Sequence, residues 1–231
     1  MDYYWVYTAD VCDGAALWWR VKPLVLTISC ARDRPCHAGI GETWLKEWGH
    51  LIDHRFVLGH VCAPAKEWEL VFPVEDGYGD VPKKHQEALR WAKAQGYEYV
   101  FMSDIDTYIA VPRLLRSGYE KHDFVGCRCA NENHQSGAAG YWLSAKAFDP
   151  LINTDATGHS WSDMWTWHTL EKAGIHLHHD PRYACFHELI PTTEQWNDGT
   201  VTVNLGREGR FDIATMHRCH ESFLRSVSCG E

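Results

Sequence analysis

The sequence predicts an α/β fold, a mostly parallel central sheet with helices on both faces, and three observations carry that expectation. Short β-rich runs alternate with helical patterns over most of the chain. Its 231 residues, 45% of them hydrophobic, suffice for one domain with a full core and are too few for two. The third observation is Asp104-Ile105-Asp106, which closes the apolar run Tyr99-Val100-Phe101-Met102-Ser103. Two carboxylates at the carboxyl end of a strand face the crevice in which open α/β sheets bind ligands.

Residues 23–29 (PLVLTIS) are a compact β-rich run, and 38–51 place apolar residues at helical spacing with Glu42, Lys46 and Glu47 on the other face. Residues 55–59 and 70–73 read as short strands. Pro82 suits the first turn of a helix that runs to about Gln95 and is stopped by Gly96. The strand 99–103 comes next, then a strand over 124–128, a glycine-rich segment at 136–140, a helix around 162–173 and a strand near 175–179. Residues 189–209 read as a loop, and 212–225 as a terminal helix capped by Asp212. One domain therefore spans 1–231, with 22–188 as its core and 189–231 as a C-terminal loop and helix.

A net charge of −9 and a pI near 5.9 give no general attraction to phosphate backbones or anionic membranes. Arg32, Arg34, Lys83, Lys84 and Arg90 still leave room for a local basic cleft. No stretch reaches the roughly eighteen apolar residues of a membrane span. The start, Met1-Asp2-Tyr3-Tyr4-Trp5, lacks the basic and apolar regions of a signal peptide, so the expected compartment is the cytoplasm. Nine cysteines, without a C-x-x-C pair, predict buried free thiols rather than a structural zinc site. Most of the twelve tryptophans suit a core, yet Trp161, Trp165, Trp167 and Trp196 crowd segments rich in Asp, His and Gly. There, flat aromatic faces can stack on a sugar ring or a base.

A buried carboxylate pair is electrostatically costly without a cation, and two hard oxygen ligands beside a cleft suit Mg²⁺ or Mn²⁺ bridging a diphosphate. An Asp-x-Asp is also an ordinary polar turn, and the triplet alone does not separate the two. Asp163 falls in the first turn of the helix predicted from Ser162, where the macrodipole keeps a carboxylate ionised. It is either a general base or only a helix-start residue. His187 follows Arg182-Tyr183-Ala184-Cys185-Phe186, a short strand that can bring an imidazole back to the edge of the sheet that carries the Asp-x-Asp.

Six short motifs in order, from about Leu24 to His187, resemble glycosyltransferase family 31, which includes the β-1,3-galactosyltransferases and Fringe. Gly39-Ile40-Gly41-Glu42-Thr43-Trp44 is similar to the family's I-R-x-T-W, with Gly41 in place of the Arg. Arg55-Phe56-Val57-Leu58-Gly59 looks like its F-x-L-G strand. Asp76-Gly77-Tyr78-Gly79-Asp80-Val81-Pro82-Lys83-Lys84 is similar to D-x-Y-x-N-L-T-x-K, with Trp91 on the downstream tryptophan. The D-x-D falls on Asp104-Ile105-Asp106, and G-x-G-Y-x-x-S on Ala138-Ala139-Gly140-Tyr141-Trp142-Leu143-Ser144. The E-D-V helix falls on Ser162-Asp163-Met164, with L-x-K-x-G-I matched by Leu170-Glu171-Lys172-Ala173-Gly174-Ile175.

The resemblance implies a GT-A (Rossmann-like) fold, a UDP-sugar donor, Mn²⁺ or Mg²⁺, and inversion at the anomeric carbon. It puts metal ligands at Asp104, Asp106 and His187, with His217 as runner-up to His187, and the catalytic base at Asp163. Donor contacts fall to Ser29, Arg32, Arg34, Asp76, Lys84, Ser103, Ile105 and Arg207, and acceptor contacts to Gly140, Tyr141, Trp142 and Trp165. Arg34 and Lys84 would meet either phosphate or the acidic cluster. The segment 203–209 is either a loop closing over the donor or a plain turn. Ser162 replaces the usual acid before the base, and the family's anchor, stem and paired lumenal cysteines have no counterpart, so a microbial or viral cytoplasmic relative is expected. The acceptor is a glycan hydroxyl or the hydroxymethyl group of a modified pyrimidine in viral DNA. The competing reading is a non-catalytic carbohydrate- or metal-binding module that retains the fold.

Overall fold

Strand β1 (Leu24–Ile28) is buried along its whole length, as a strand covered on both faces must be. The computed structural model describes residues 22–60, 63–129, 134–184, 190–206 and 211–228. After β1, a 3-10 turn over Ala31–Cys36 leads to α1 (His37–Gly41), α2 (Trp44–Trp48), β2 (Asp53–Leu58) and β3 (Glu69–Val71). Then come α3 (Val81–Ala94), β4 (Tyr99–Asp104), β5 (Thr107–Ile109), α4 (Val111–Leu114) and β6 (Phe124–Gly126). They are followed by β7 (Tyr141–Ser144), α5 (Ala145–Asn153), α6 (Ser162–Lys172), β8 (His178–His179) and β9 (Tyr183–Ala184). The last are α7 (Thr193–Asn197), β10 (Thr202–Asn204) and α8 (Ile213–Ser228).

The central sheet has the order β3-β2-β1-β4-β7-β6-β8. Only β7 runs against its neighbours, β4 and β6, so the expected mostly parallel sheet is present. A small sheet, β5-β10-β9, lies beside it. Successive strand residues point to opposite faces and divide the core into two layers. Leu24, Leu26, Val100 and Met102 pack with Ala88 and Leu89 of α3, Phe148 and Leu151 of α5, and Trp165 of α6. Val25, Phe101 and Trp142 face the other layer, built from Trp44, Tyr108, Trp196, Met216 and Phe223.

Several expected elements change. The helix over 38–51 is broken between α1 and α2: Thr43 leaves helical geometry (φ −115°, ψ −116°) and its hydroxyl donates to the Gly39 carbonyl at 2.5 Å. A hydroxyl that takes a carbonyl competes with the helix's own hydrogen bonds. The segment 189–209 is not wholly a loop. Thr192 and Gln195 form a capping box that starts α7, and β10 pairs with both β5 and β9. The strand near 175–179 shrinks to His178–His179, and that over 124–128 to Phe124–Gly126. Expected punctuation holds elsewhere. Pro82 lies in the first turn of α3, Gly96 follows it at φ 81°, and Asp212 Oδ1 accepts from the Thr215 amide at 2.6 Å before α8. Among the described residues no helix is long and apolar enough to cross a membrane. Of the five described cysteines only Cys219 is buried; Cys30, Cys36, Cys127 and Cys129 are half-buried.

Candidate active site

Ile28 of β1 and Asp104 of β4 are in register, so the two central strands end together and deliver Asp104 to the carboxyl edge of the sheet. The chain turns there into β5. The Asp104 amide donates to Thr107 Oγ1 at 3.2 Å, and the Leu205 amide donates to the Asp106 carbonyl at 2.9 Å. Beside this turn lies a cleft of about 470 Å³, lined by Asp104, Tyr78, Val81, Cys129, His134, Ser136, Gly137, Trp161, Ser162 and Asp163 among others.

Two carboxylates, Asp104 and Asp163, line this space, and Asp106 lies near enough for its charge to act on Asp104 and Tyr78. Burial, then the charges of Asp106 and Asp163, push the Asp104 carboxyl up to about 7 against a smaller opposing pull from Lys84. The Tyr78 phenol is raised by partial burial against the cleft wall, although the residue as a whole is 72% exposed, and then by Asp104, Asp163 and Asp106 in turn. Negative charge gathered at one edge calls for a cation. Asp106 is held tightly from behind: Gly206 lies so close to its carboxylate that a Cβ there would overlap the oxygen. Asp163 sits in the first turn of α6, where Oδ1 accepts from the Met164 amide at 2.8 Å and Oδ2 lies 4.0 Å from His134 Nδ1. The Gln135 side chain donates to the Asp163 carbonyl at 3.0 Å, and a Cβ on Gly137 would come 3.4 Å from Asp163 Cβ. The segment around 134–137 thus fixes the start of the helix and the carboxylate on it.

Other expected site residues have different work. Tyr141, Trp142 and Trp165 are 1% exposed, so they are core residues and not an acceptor platform. Tyr141 Oη shares hydrogen bonds with His85 and Thr166, Trp142 stacks on Tyr119 at 3.8 Å, and Trp165 packs in the α3–α5–α6 layer. Strand β7 is covered on both faces, which leaves neither of its aromatics for solvent. Gly140 (φ 74°) is a turn residue pressed against Phe101 and the Met102 carbonyl. Ser103 is buried against Thr27 at 3.1 Å, and Ile105 packs on the core.

On the donor side, Ser29 Oγ is bonded to His37 Nε2 at 2.8 Å. Asp76 accepts from the amides of Ala31 and Gly59 and from Lys84 Nζ, which also donates to the Ser29 carbonyl. Arg34 is tied to buried Glu69 at 2.6 Å, and Arg32 is exposed beside Asp33. With Lys83–Asp80 and Arg90–Glu87, all five cations expected to form a basic cleft are paired with acids. The cleft therefore has no basic wall from them. Lys84, 2% exposed, meets the acidic cluster and not solvent. His217 is engaged with Glu42 at 3.1 Å. His187 and Arg207 lie outside the described residues.

Among the described residues no three His, Cys, Asp or Glu side chains converge as a ready-made metal cage. Mg²⁺ and Mn²⁺ do not require one, since they commonly take one or two carboxylates and fill the remaining positions with water and substrate phosphates. Asp104 and Asp106 fit that pattern, and the raised Asp104 carboxyl is the strain that a divalent cation would relieve.

No protein-family model and no curated sequence matches the chain. Among solved structures, the chain is similar to a glycosyltransferase involved in the glycosylation of the major capsid of PBCV-1. The TM-score is 0.52, with 86% of this chain and 98% of that one covered, at 10% identity. The fold is GT-A-like. At this identity the likeness is one of fold alone. Within this GT-A-like frame the residues that line the cleft beyond the expected set include Tyr78, His134, Gly137 and Trp161. In the sequence Tyr78 is only a motif position, and Trp161 is one of four tryptophans with the right surroundings to stack on a ligand, of which Trp165 and Trp196 are buried.

Proposed function

We propose that the chain is a metal-dependent, inverting glycosyltransferase that moves a sugar from a UDP-sugar to an acceptor hydroxyl. The observation that carries this reading is the meeting of Asp163, from the start of α6, with Asp104 and Asp106 at the carboxyl edge of the sheet. A bound Mn²⁺ or Mg²⁺ would neutralise the donor diphosphate and stabilise the departing UDP. Asp104 and Asp106 would hold that ion, with His187 as the third protein ligand. Asp163 would take the proton of the acceptor hydroxyl as its oxygen attacks C1 from the face opposite the diphosphate. One C–O bond forms, the C1–O bond to UDP breaks, and the configuration at C1 inverts. The acceptor hydroxyl belongs to a glycan or to a hydroxymethyl pyrimidine of DNA.

The test is a thermal-shift panel of UDP-sugars with and without Mn²⁺, since a ligand that binds the folded state raises the melting point by mass action. The expected result is one UDP-sugar that stabilises only with the cation and is slowly hydrolysed to UDP and free sugar. A chain stabilised by no UDP-sugar, or equally by UDP-sugars with and without cation, would refute the reading.

A further inference from the structure

We propose that Trp161 and Tyr78 form the stacking platform for the acceptor, and that this acceptor is an uncharged saccharide. The proposal rests on the glycosyltransferase reading above and names the substrate class of the same cleft. Among the described residues three large aromatics are exposed, Tyr78 (72%), Trp161 (58%) and Trp68 (46%), and only the first two line the cleft. An aromatic face left in water forgoes apolar burial unless a ligand covers it. The two rings come from distant segments, one from the 3-10 turn before α3 and one from the residue before α6, yet meet edge-to-face at 6.2 Å and 89°. Each edge-to-face partner steadies the other, so the platform is arranged before the ligand arrives. Both line the cleft with Asp104 and Asp163, and Trp161 stands two residues from the carboxylate assigned to take the acceptor proton. A pyranose laid with its C–H face on the indole would keep its hydroxyls on the rim, directed toward that carboxylate.

Charge selects among occupants. Among the described residues that line this cleft there is no Lys or Arg, and two are aspartates. The neighbouring cations Lys83 and Lys84 are paired with Asp80 and Asp76. A nucleic acid strand needs cations along its backbone, and here it would meet carboxylates. A neutral sugar suffers no such repulsion.

The experiment is a binding screen of the full chain against an array of uncharged oligosaccharides and a single-stranded oligonucleotide, followed by titration of the best ligand. Expected is an oligosaccharide whose affinity is unchanged between about 50 and 200 mM salt. Trp161→Ala should lower that affinity about tenfold while the melting point holds, with most of it recovered in Trp161→Phe, and Tyr78→Ala should lower it severalfold. No bound saccharide, equal affinity in Trp161→Ala, or preference for the oligonucleotide with a steep salt dependence would each overturn the platform. Binding is read without turnover: a chain that binds saccharide through Trp161 yet releases no UDP defeats the transferase reading alone. One that transfers sugar with acceptor affinity indifferent to Trp161 defeats the platform alone.

Discussion

Asp163 and Asp106 both act on the charge of Asp104, but substitutions should separate them. Asp163→Asn keeps the shape and the oxygen that accepts the Met164 amide, and removes only the site for a proton. Transfer should fall by about 10²- to 10⁴-fold with UDP-sugar affinity within about threefold, measured by steady-state kinetics and calorimetry. A normal turnover rate would end the assignment of the base. Gly206→Ala acts on the other carboxylate, because the added methyl overlaps the Asp106 oxygen and must displace it. The expected outcome is weaker Mn²⁺-dependent donor binding in a folded protein, resembling Asp106→Ala; Mn²⁺ affinity equal to that of the parent would show that Asp106 is not a ligand. The aspartates were legible in the sequence because each stands at a recognisable element end. Gly206 was not, since its contact joins segments far apart in sequence, and no pattern distinguishes the exposed Trp161 from the enclosed Trp165 four positions on.

Asp76 ties three elements together at the carboxyl ends of β1 and β2. It joins the amide of Ala31 after β1, the amide of Gly59 after β2, and Lys84 of α3. Gly59 admits this close approach, as a Cβ there would lie 2.6 Å from the Glu75 carbonyl. Removing the carboxylate in Asp76→Ala takes the acceptor from two amides and leaves a buried ammonium without its paired carboxylate, with only the Ser29 carbonyl bonded to it. It should cost about 3 kcal/mol in urea unfolding, since breaking a buried pair exposes the full desolvation cost of the survivor. A loss under about 1 kcal/mol would mean that water replaces the carboxylate. Element types were largely legible where the apolar period was strong, as in β1, α3 and β4. The interruption at Thr43 was hidden because periodicity registers faces and not a hydroxyl's competition for a carbonyl. β10 was missed because three residues carry little pattern and their partners come from remote strands.

Fifteen histidines give the chain many groups that titrate near neutrality, and burial decides which of them matter for the fold as a whole. His54 bonds Thr27 between β2 and β1, His85 bonds Tyr141 between α3 and β7, and His37 stacks on Phe56 at 3.7 Å. Burial lowers His54 and His85 to about 3 and His37 to about 4, so all three stay neutral in the fold until strongly acidic pH. In the unfolded chain each takes a proton near 6.5. Between about pH 4 and 6.5 the unfolded state therefore binds about three more protons at these sites, and stability must fall as pH drops through that window. Asp104 works the other way, because its folded carboxyl near 7 holds a proton that the unfolded chain releases above about 4. These four groups together take up about two protons on unfolding near pH 5 in metal-free protein, a contribution of about 3 kcal/mol per pH unit to the stability slope. Urea unfolding at pH 5, 6 and 7 measures it. The midpoint should rise with pH across the series, and a protein as stable at pH 5 as at pH 7 would mean that the three imidazoles accept protons without leaving the sheet.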